Sequence, residues 1–197
     1  MRITGGNAKG RLVGSKKAFT RSHGGHDLRP TPAKVRKAIF DILGQRIEDA
    51  RVLDLYSGTG AVGIEALSRG AGYVVFVEED AKRADLISGY IASFNLAQHA
   101  SVVCSKVTGF LSRGSRPSRR NCFNIIFMDP PYEINEWDVV MEMLCSGGML
   151  APRAVVIAEH SSKLLMPEDR SCLRLKKRYK YGDTSLSLYL KTDSMEE

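Results

Sequence analysis

Long apolar runs are absent from these 197 residues, although 43% of them are hydrophobic. Without a stretch of 18 or more apolar residues, no membrane-spanning helix is expected. The N-terminus also lacks the apolar core of a signal peptide, so a cytoplasmic location is expected. Cysteine is scarce: Cys104, Cys122, Cys145 and Cys172 are scattered, with no C-x-x-C pair and no histidine at ligand spacing. That excludes a recognisable zinc site and a disulfide framework, leaving buried free thiols as the expectation. His23 and His26 lie in a glycine-rich stretch and are not read as metal ligands, so no metal is expected.

Acid is what the N-terminal quarter has little of. Residues 1–46 hold 11 Lys and Arg against two acids, Asp27 and Asp41, whereas the remainder holds 18 bases against 20 acids. The net charge of +7 is therefore concentrated in the first segment. A near-neutral body with a basic arm is the footprint of polyanion binding. The length and 43% hydrophobic content suit one ordinary domain with a single core. Residues 1–46 read as an arm with a docking helix and residues 47–197 as the body, the two forming one structural unit.

Gly5, Gly6, Gly10 and Gly14 interrupt short alternations in the arm and suggest a β-hairpin. Residues 18–28 read as a loop. Arg29-Pro30-Thr31-Pro32 opens a helix, with Thr31 as N-cap and Pro32 in the first turn. Val35, Ile39, Ile42 and Leu43 share its inner face, Lys34, Arg36 and Lys37 are expected outside, and Gly44 stops it. Strands then alternate with helices: strands over 51–56, 73–77, 101–104, 123–128 and 154–159, and helices over 61–69, from Asp80 through Phe94, up to Leu111, and around Trp137 to Leu144. Residues 112–121, with Arg113, Arg116, Arg119 and Arg120, read as a basic surface loop. Segments 172–180 and 185–191 flank Tyr181-Gly182-Asp183-Thr184, a hairpin signal. The pattern predicts an α/β, doubly wound, mostly parallel sheet with a C-terminal antiparallel hairpin.

Chemistry is concentrated at the ends of three strands. Asp129-Pro130-Pro131-Tyr132 follows the apolar run 123–128, and prolines cannot donate to a ladder, so the strand stops with a carboxylate on a stiff turn. That is the sheet edge where ligands bind in open α/β folds. Gly58, Gly60 and Gly63 match G-x-G-x-x-G between a strand and a helix, and Glu78 lies twenty residues past Gly58, placed to accept from a ribose diol. This much fits NAD and other adenosine cofactors alike. Asp54, near the end of the first strand, would repel a pyrophosphate and favour a cation, which points to S-adenosylmethionine with its sulfonium and ammonium. Methyl transfer to an exocyclic amine needs acceptors that localise the nitrogen lone pair. Asp129 and the Pro130 carbonyl can supply them, with Tyr132 as a stacking face for a base turned out of its helix.

Asp54-Leu55-Tyr56-Ser57-Gly58-Thr59-Gly60 with Asp129-Pro130-Pro131-Tyr132 resembles the class I S-adenosylmethionine-dependent methyltransferases that act on amino groups of bases. The opening Arg2-Ile3-Thr4-Gly5-Gly6, the runs 28–40 and 60–71, Phe76-Val77-Glu78 and the closing segment 181–189 further resemble the bacterial family that methylates N2 of a guanine in 16S rRNA. The resemblance implies a Rossmann-like class I methyltransferase fold with a seven-stranded sheet and a basic N-terminal β-hairpin extension. It implies Asp129, Pro130 and Tyr132 as catalytic residues. Asp54, Tyr56, Ser57, Gly58, Thr59, Gly60 and Glu78 are implied as cofactor contacts. Ser105 stands where the family often has an acidic or amide residue and is the candidate for the adenine edge. Arg2, Lys9, Arg11, Lys16, Lys17, Arg29, Arg36 and Tyr181 are implied on the RNA side. The implied partner is 16S rRNA in an assembling small ribosomal subunit, with the enzyme a monomer. A DNA adenine or cytosine amino-methyltransferase, a non-catalytic RNA-binding protein and an NAD-dependent oxidoreductase are the competing readings. The absence of a target-recognition domain and the intact Gly58, Gly60, Asp129 and Tyr132 count against the first two, and Asp54 against the third.

Overall fold

The computed structural model describes residues 2–13, 31–113, 122–130 and 136–192. Eight strands form one sheet: β1 (Arg51–Leu55), β2 (Tyr73–Glu78), β3 (Ala100–Cys104), β4 (Phe123–Met128), β5 (Leu150–Ser161), β6 (Asp169–Arg170), β7 (Leu173–Tyr181) and β8 (Thr184–Lys191). Their order is β3-β2-β1-β4-β5-β8-β7-β6. The first five pair in parallel, while β8, β7 and β6 add antiparallel. The count exceeds the expected seven because the two-residue β6 pairs with the start of β7.

Helices α1 (Ala33–Leu43), α2 (Ala61–Ser68) and α3 (Ala81–Ser93) pack on one face, and α4 (Val107–Ser112) and α5 (Trp137–Ser146) on the other. Alternation on the strands feeds both layers: Val52, Phe127 and Ile157 enter the first, Leu53, Ile126 and Val156 the second. The parallel order places β1 and β4 side by side while β2 and β5 lie on their outer flanks. The chain therefore reverses its winding direction between β1 and β4, which opens a crevice at their carboxyl ends.

Several expectations change on inspection. Pro32, not Thr31, is the N-cap of α1, and it offers no side-chain cap. Arg36 is buried (1% exposed), not on the outer face of α1. Among the described residues of the arm, one antiparallel bridge, Arg2 to Leu12, stands where a β-hairpin was expected. Its Asn7 and Ala8 N–H groups donate to the Ser68 carbonyl (2.7 Å) and hydroxyl (2.8 Å), so they cannot serve a hairpin ladder. Gly6 (φ 74°) lies against the same carbonyl, where a Cβ would collide. Cys145 and Cys172 form a disulfide between the last turn of α5 and the start of β7, whereas Cys104 and Cys122 are free. The partners are 27 residues apart, and packing of α5 against the sheet brings them together.

Candidate active site

Sheet register assembles the crevice. Asp54 pairs with Phe76 on β2 and Phe127 on β4, and Met128 pairs with Ala158 on β5. Asp54, Asp129 and Glu159 therefore alternate onto the face covered by α1 to α3, and they gather where β1, β4 and β5 end. Glu78 closes β2 on the other side of β1.

The turn after β1 is built from within. Tyr56, Gly58 and Gly60 all take positive φ (58°, 53° and 70°), a region open to glycine and strained for tyrosine. Ser57 secures it: its hydroxyl donates to the Asp54 carbonyl (2.6 Å) and accepts from the Val77 N–H (3.0 Å). The Gly60 N–H donates back to the Ser57 carbonyl (2.7 Å). The Ser57 side chain is thus engaged by the fold. Gly63 likewise serves packing, since a Cβ there would strike the Phe76 ring and the Asp54 carboxylate. Thr59 is buried in the same turn. The Tyr56 hydroxyl donates to Glu136 (2.6 Å) at the start of α5, and burial first, then this carboxylate, raise its pKa.

Glu78 is clamped as an acceptor. Its two oxygens receive the Gly58 N–H (2.7 Å) and the Asp80 N–H (3.0 Å), and Arg83 pairs with it at 3.2 Å. Oε2, which receives only the Gly58 N–H, keeps a further lone pair, so the carboxylate is oriented without being saturated. Burial still holds its pKa above the usual range. Asp80 caps α3 by accepting from the Arg83 N–H (3.0 Å). Ser105 follows β3 on the same sheet edge, its N–H donating to the Glu78 carbonyl (2.9 Å).

The remaining carboxylates are short of partners. Asp54 accepts from the Gly63 N–H (2.9 Å), yet burial pushes its pKa up to about 8, with Glu78 adding repulsion. Burial raises Asp129 well above the usual carboxylate range, and Glu159 and then Asp54 raise it further. Asp129 itself stays partly open, and Pro130 behind it is buried. Glu159 is 3% exposed and burial brings it to about 7, against a hydrogen bond from the Thr31 side chain. Such a cluster fits a ligand that brings positive charge and a ribose diol, because a cation offsets the repulsion that Glu159 and Asp54 exert on Asp129 and Glu78 exerts on Asp54.

Tyr132, Lys16, Lys17 and Arg29 lie outside the described residues. Arg2, Lys9 and Arg11 are exposed on the arm. Arg11 stacks on the Phe94 ring at 4.4 Å and Arg2 donates to the Gly10 carbonyl (2.8 Å). Arg36 is corrected from an RNA-side cation to an internal tie: it pairs with buried Glu65 at 2.6 Å and donates to the Arg2 carbonyl at 2.7 Å. An inward-facing position on α1 forces this, since Glu65 on α2 is the acid waiting there. Tyr181, half-buried, lines an open cleft of about 620 Å³ with Tyr179 on β7 and Lys34 and Lys37 on α1.

Sequence reasoning missed Glu159, Thr31 and Glu136. Glu159 had a local signal, an acid ending the apolar run Ala154–Ala158 at the ligand edge. Thr31 and Glu136 had none, because only tertiary packing brings them to the crevice.

A family model described as Conserved hypothetical protein 95 matches residues 1–190. The chain is 32% identical over 191 residues to a Bacillus subtilis (strain 168) protein provisionally named an rRNA methyltransferase, YlbH, covering 97% of this chain and 99% of that one. It is 32% identical over 189 residues to the ribosomal RNA small subunit methyltransferase D of Escherichia coli (strain K12), covering 96% and 89%. Among solved structures it is similar to Escherichia coli yhhF, provisionally named a methyltransferase, with a TM-score of 0.82, 29% identity and 97% of each chain covered.

Proposed function

The chain belongs to the Conserved hypothetical protein 95 family, with the small-subunit rRNA methyltransferases D, and from that premise we propose that it methylates the exocyclic N2 amine of a guanine in 16S rRNA. The methyl donor is S-adenosylmethionine. One observation carries this reading: a partly open carboxylate, Asp129, stands on a proline turn beside the glycine turn and Glu78 at the sheet's switch point.

When bound, the cofactor supplies an electrophilic methyl group on a sulfonium. The protein's part is to place and prepare the amine. Glu78 would hold the ribose diol, the turn at Tyr56–Gly60 would offer its backbone to the cofactor, and Ser105 would be the contact for the adenine edge. Asp54 would supply negative charge for its ammonium group. The N2 lone pair of guanine is delocalised into the ring, so the amine is a poor nucleophile. Asp129 and the Pro130 carbonyl accept its two N–H groups and turn the lone pair out of conjugation, toward the side from which the methyl group would be supplied. As the nitrogen–carbon bond forms, positive charge grows on N2, and these acceptors stabilise it more than in the ground state. The surplus proton leaves N2 along its hydrogen bond to Asp129. Tyr132 is assigned the stacking face for the base, worth about 1–3 kcal/mol.

Arg2, Lys9 and Arg11 on the arm and the cleft of Tyr179, Tyr181, Lys34 and Lys37 form the RNA side. They combine cations for phosphates with aromatic faces for unpaired bases. Lys16, Lys17 and Arg29 join them by the resemblance. The substrate is 16S rRNA within an assembling small subunit, and the enzyme acts as a monomer. Nucleoside mapping of rRNA from cells with and without the gene tests the reading. It predicts one N2-methylguanosine missing from 16S rRNA in the deletion and restored by the purified protein; an unchanged modification map overturns it.

A further inference from the structure

Glu159 is a buried acid of the crevice to which the proposed chemistry gives no task. It follows Ala158, whose partner across the β4–β5 ladder is Met128, so Glu159 and Asp129 are the next residues on neighbouring strands and share a face. Neighbouring strands lie about 4.8 Å apart. Glu159 is 3% exposed, and one of its oxygens, Oε2, has no hydrogen-bond partner among the described residues. Thr31 hydrogen-bonds the carboxylate. A buried carboxylate oxygen with no donor is costly, and costlier beside a second carboxylate, unless a ligand brings donors to both.

Base chemistry says which ligand does so. The Watson–Crick edge of guanine carries two adjacent donors, N1–H and the N2 amine. Adenine and cytosine place their amine next to a ring nitrogen lone pair, which would face the second carboxylate repulsively. We propose that Glu159 is the specificity-determining acceptor of the site: its Oε2 takes the guanine N1–H while Asp129 takes the N2 amine. This rests on the guanine-N2 reading above and sharpens it, since it names the group that rejects other aminated bases. A site built to accept an N–H discriminates strongly against an analogue that lacks it, because its buried acceptor is then left unpaired.

The test uses small-subunit RNA ligated to carry either guanosine or 2,6-diaminopurine riboside at the mapped position, offered naked and in reconstituted particles. Diaminopurine keeps the N2 amine but has a lone pair at N1. The wild-type protein is expected to lose about 10- to 100-fold in kcat/KM on the analogue. Glu159→Gln offers an N–H to that lone pair, so guanosine should fall, and the ratio between the two substrates should collapse or invert. Equal methylation of both by the wild-type protein overturns the proposal without any variant. So does a Glu159→Gln protein that binds the cofactor normally yet keeps the wild-type ratio, or loses both substrates alike. If the wild-type protein forms no N2-methylguanosine even on guanosine, the reading of the function fails first, and the two failures are distinct.

Discussion

Two buried carboxylate clusters on the same face of the sheet have opposite electrostatic fates. Glu65 on α2 is fully buried and still ionises readily. Burial alone would raise it, but Thr4, Arg36 and Arg69 hydrogen-bond it and together hold it below the usual range. Asp54, Asp129 and Glu159 are pushed the other way, each chiefly by burial, with Glu78 adding to Asp54 and with Glu159 and then Asp54 adding to Asp129. The first cluster is complete within the fold and ties the basic arm to the body. The second is incomplete within the fold, and the proposed function completes it with a cation and a donor-rich base. Buried acids thus differ in who supplies their partners, the fold for Glu65 and, under the proposal, the ligands for the crevice.

The largest effect that separates the clusters is on activity. Asp129→Ala should lower kcat by about a thousandfold or more while cofactor affinity by isothermal titration stays within a few-fold, because the role proposed for Asp129 is on the amine. Full activity in that variant would remove Asp129 from its role. Arg36→Met should do the reverse. It leaves Glu65 buried beside a single arginine, at a cost of about 3–5 kcal/mol, and lowers Tm by about 6–20 °C. Normal Tm with a protease-resistant arm would show that the Arg36–Glu65 tie holds nothing.

The third effect is smaller and concerns pH. An acid whose folded pKa lies above its unfolded value stabilises the fold below the unfolded pKa and loses that contribution as pH rises through the folded one. Glu159, raised to about 7, and Asp54, raised to about 8, therefore predict that the cofactor-free protein loses Tm progressively between about pH 4 and about pH 8, with no further loss from these two groups above that. Glu65, held low, contributes stability that disappears only in acid. Glu159→Gln should flatten the part of this decline below about pH 7 and leave the loss in strong acid unchanged. A decline identical in that variant would assign it to other groups.

Much of this was legible in the chain. The strand–helix alternation appeared because parallel strands read as short apolar runs, and each predicted strand is present, β5 being longer at both ends. Gly58, Gly60, Glu78 and Asp129 were legible because turn chemistry and strand ends are local events, and register then places them on one edge. Arg36 was misread because a helical position and a positive charge say nothing of Glu65, 29 residues on. The Cys145–Cys172 pair was missed for the same reason, as no spacing rule joins the end of α5 to the start of β7.

From the sequence alone come the alternating architecture, the glycine turn, the carboxylates at the strand ends and the basic first quarter, since each depends on neighbours within a few residues. Tertiary structure alone decides which of the buried acids are satisfied. Arg36 and Arg69 complete Glu65, while β4 and β5 set Asp129 beside Glu159, whose charge raises the Asp129 pKa further. The pKa of a buried group depends on partners brought from distant parts of the chain, and only the packed fold assembles those partners.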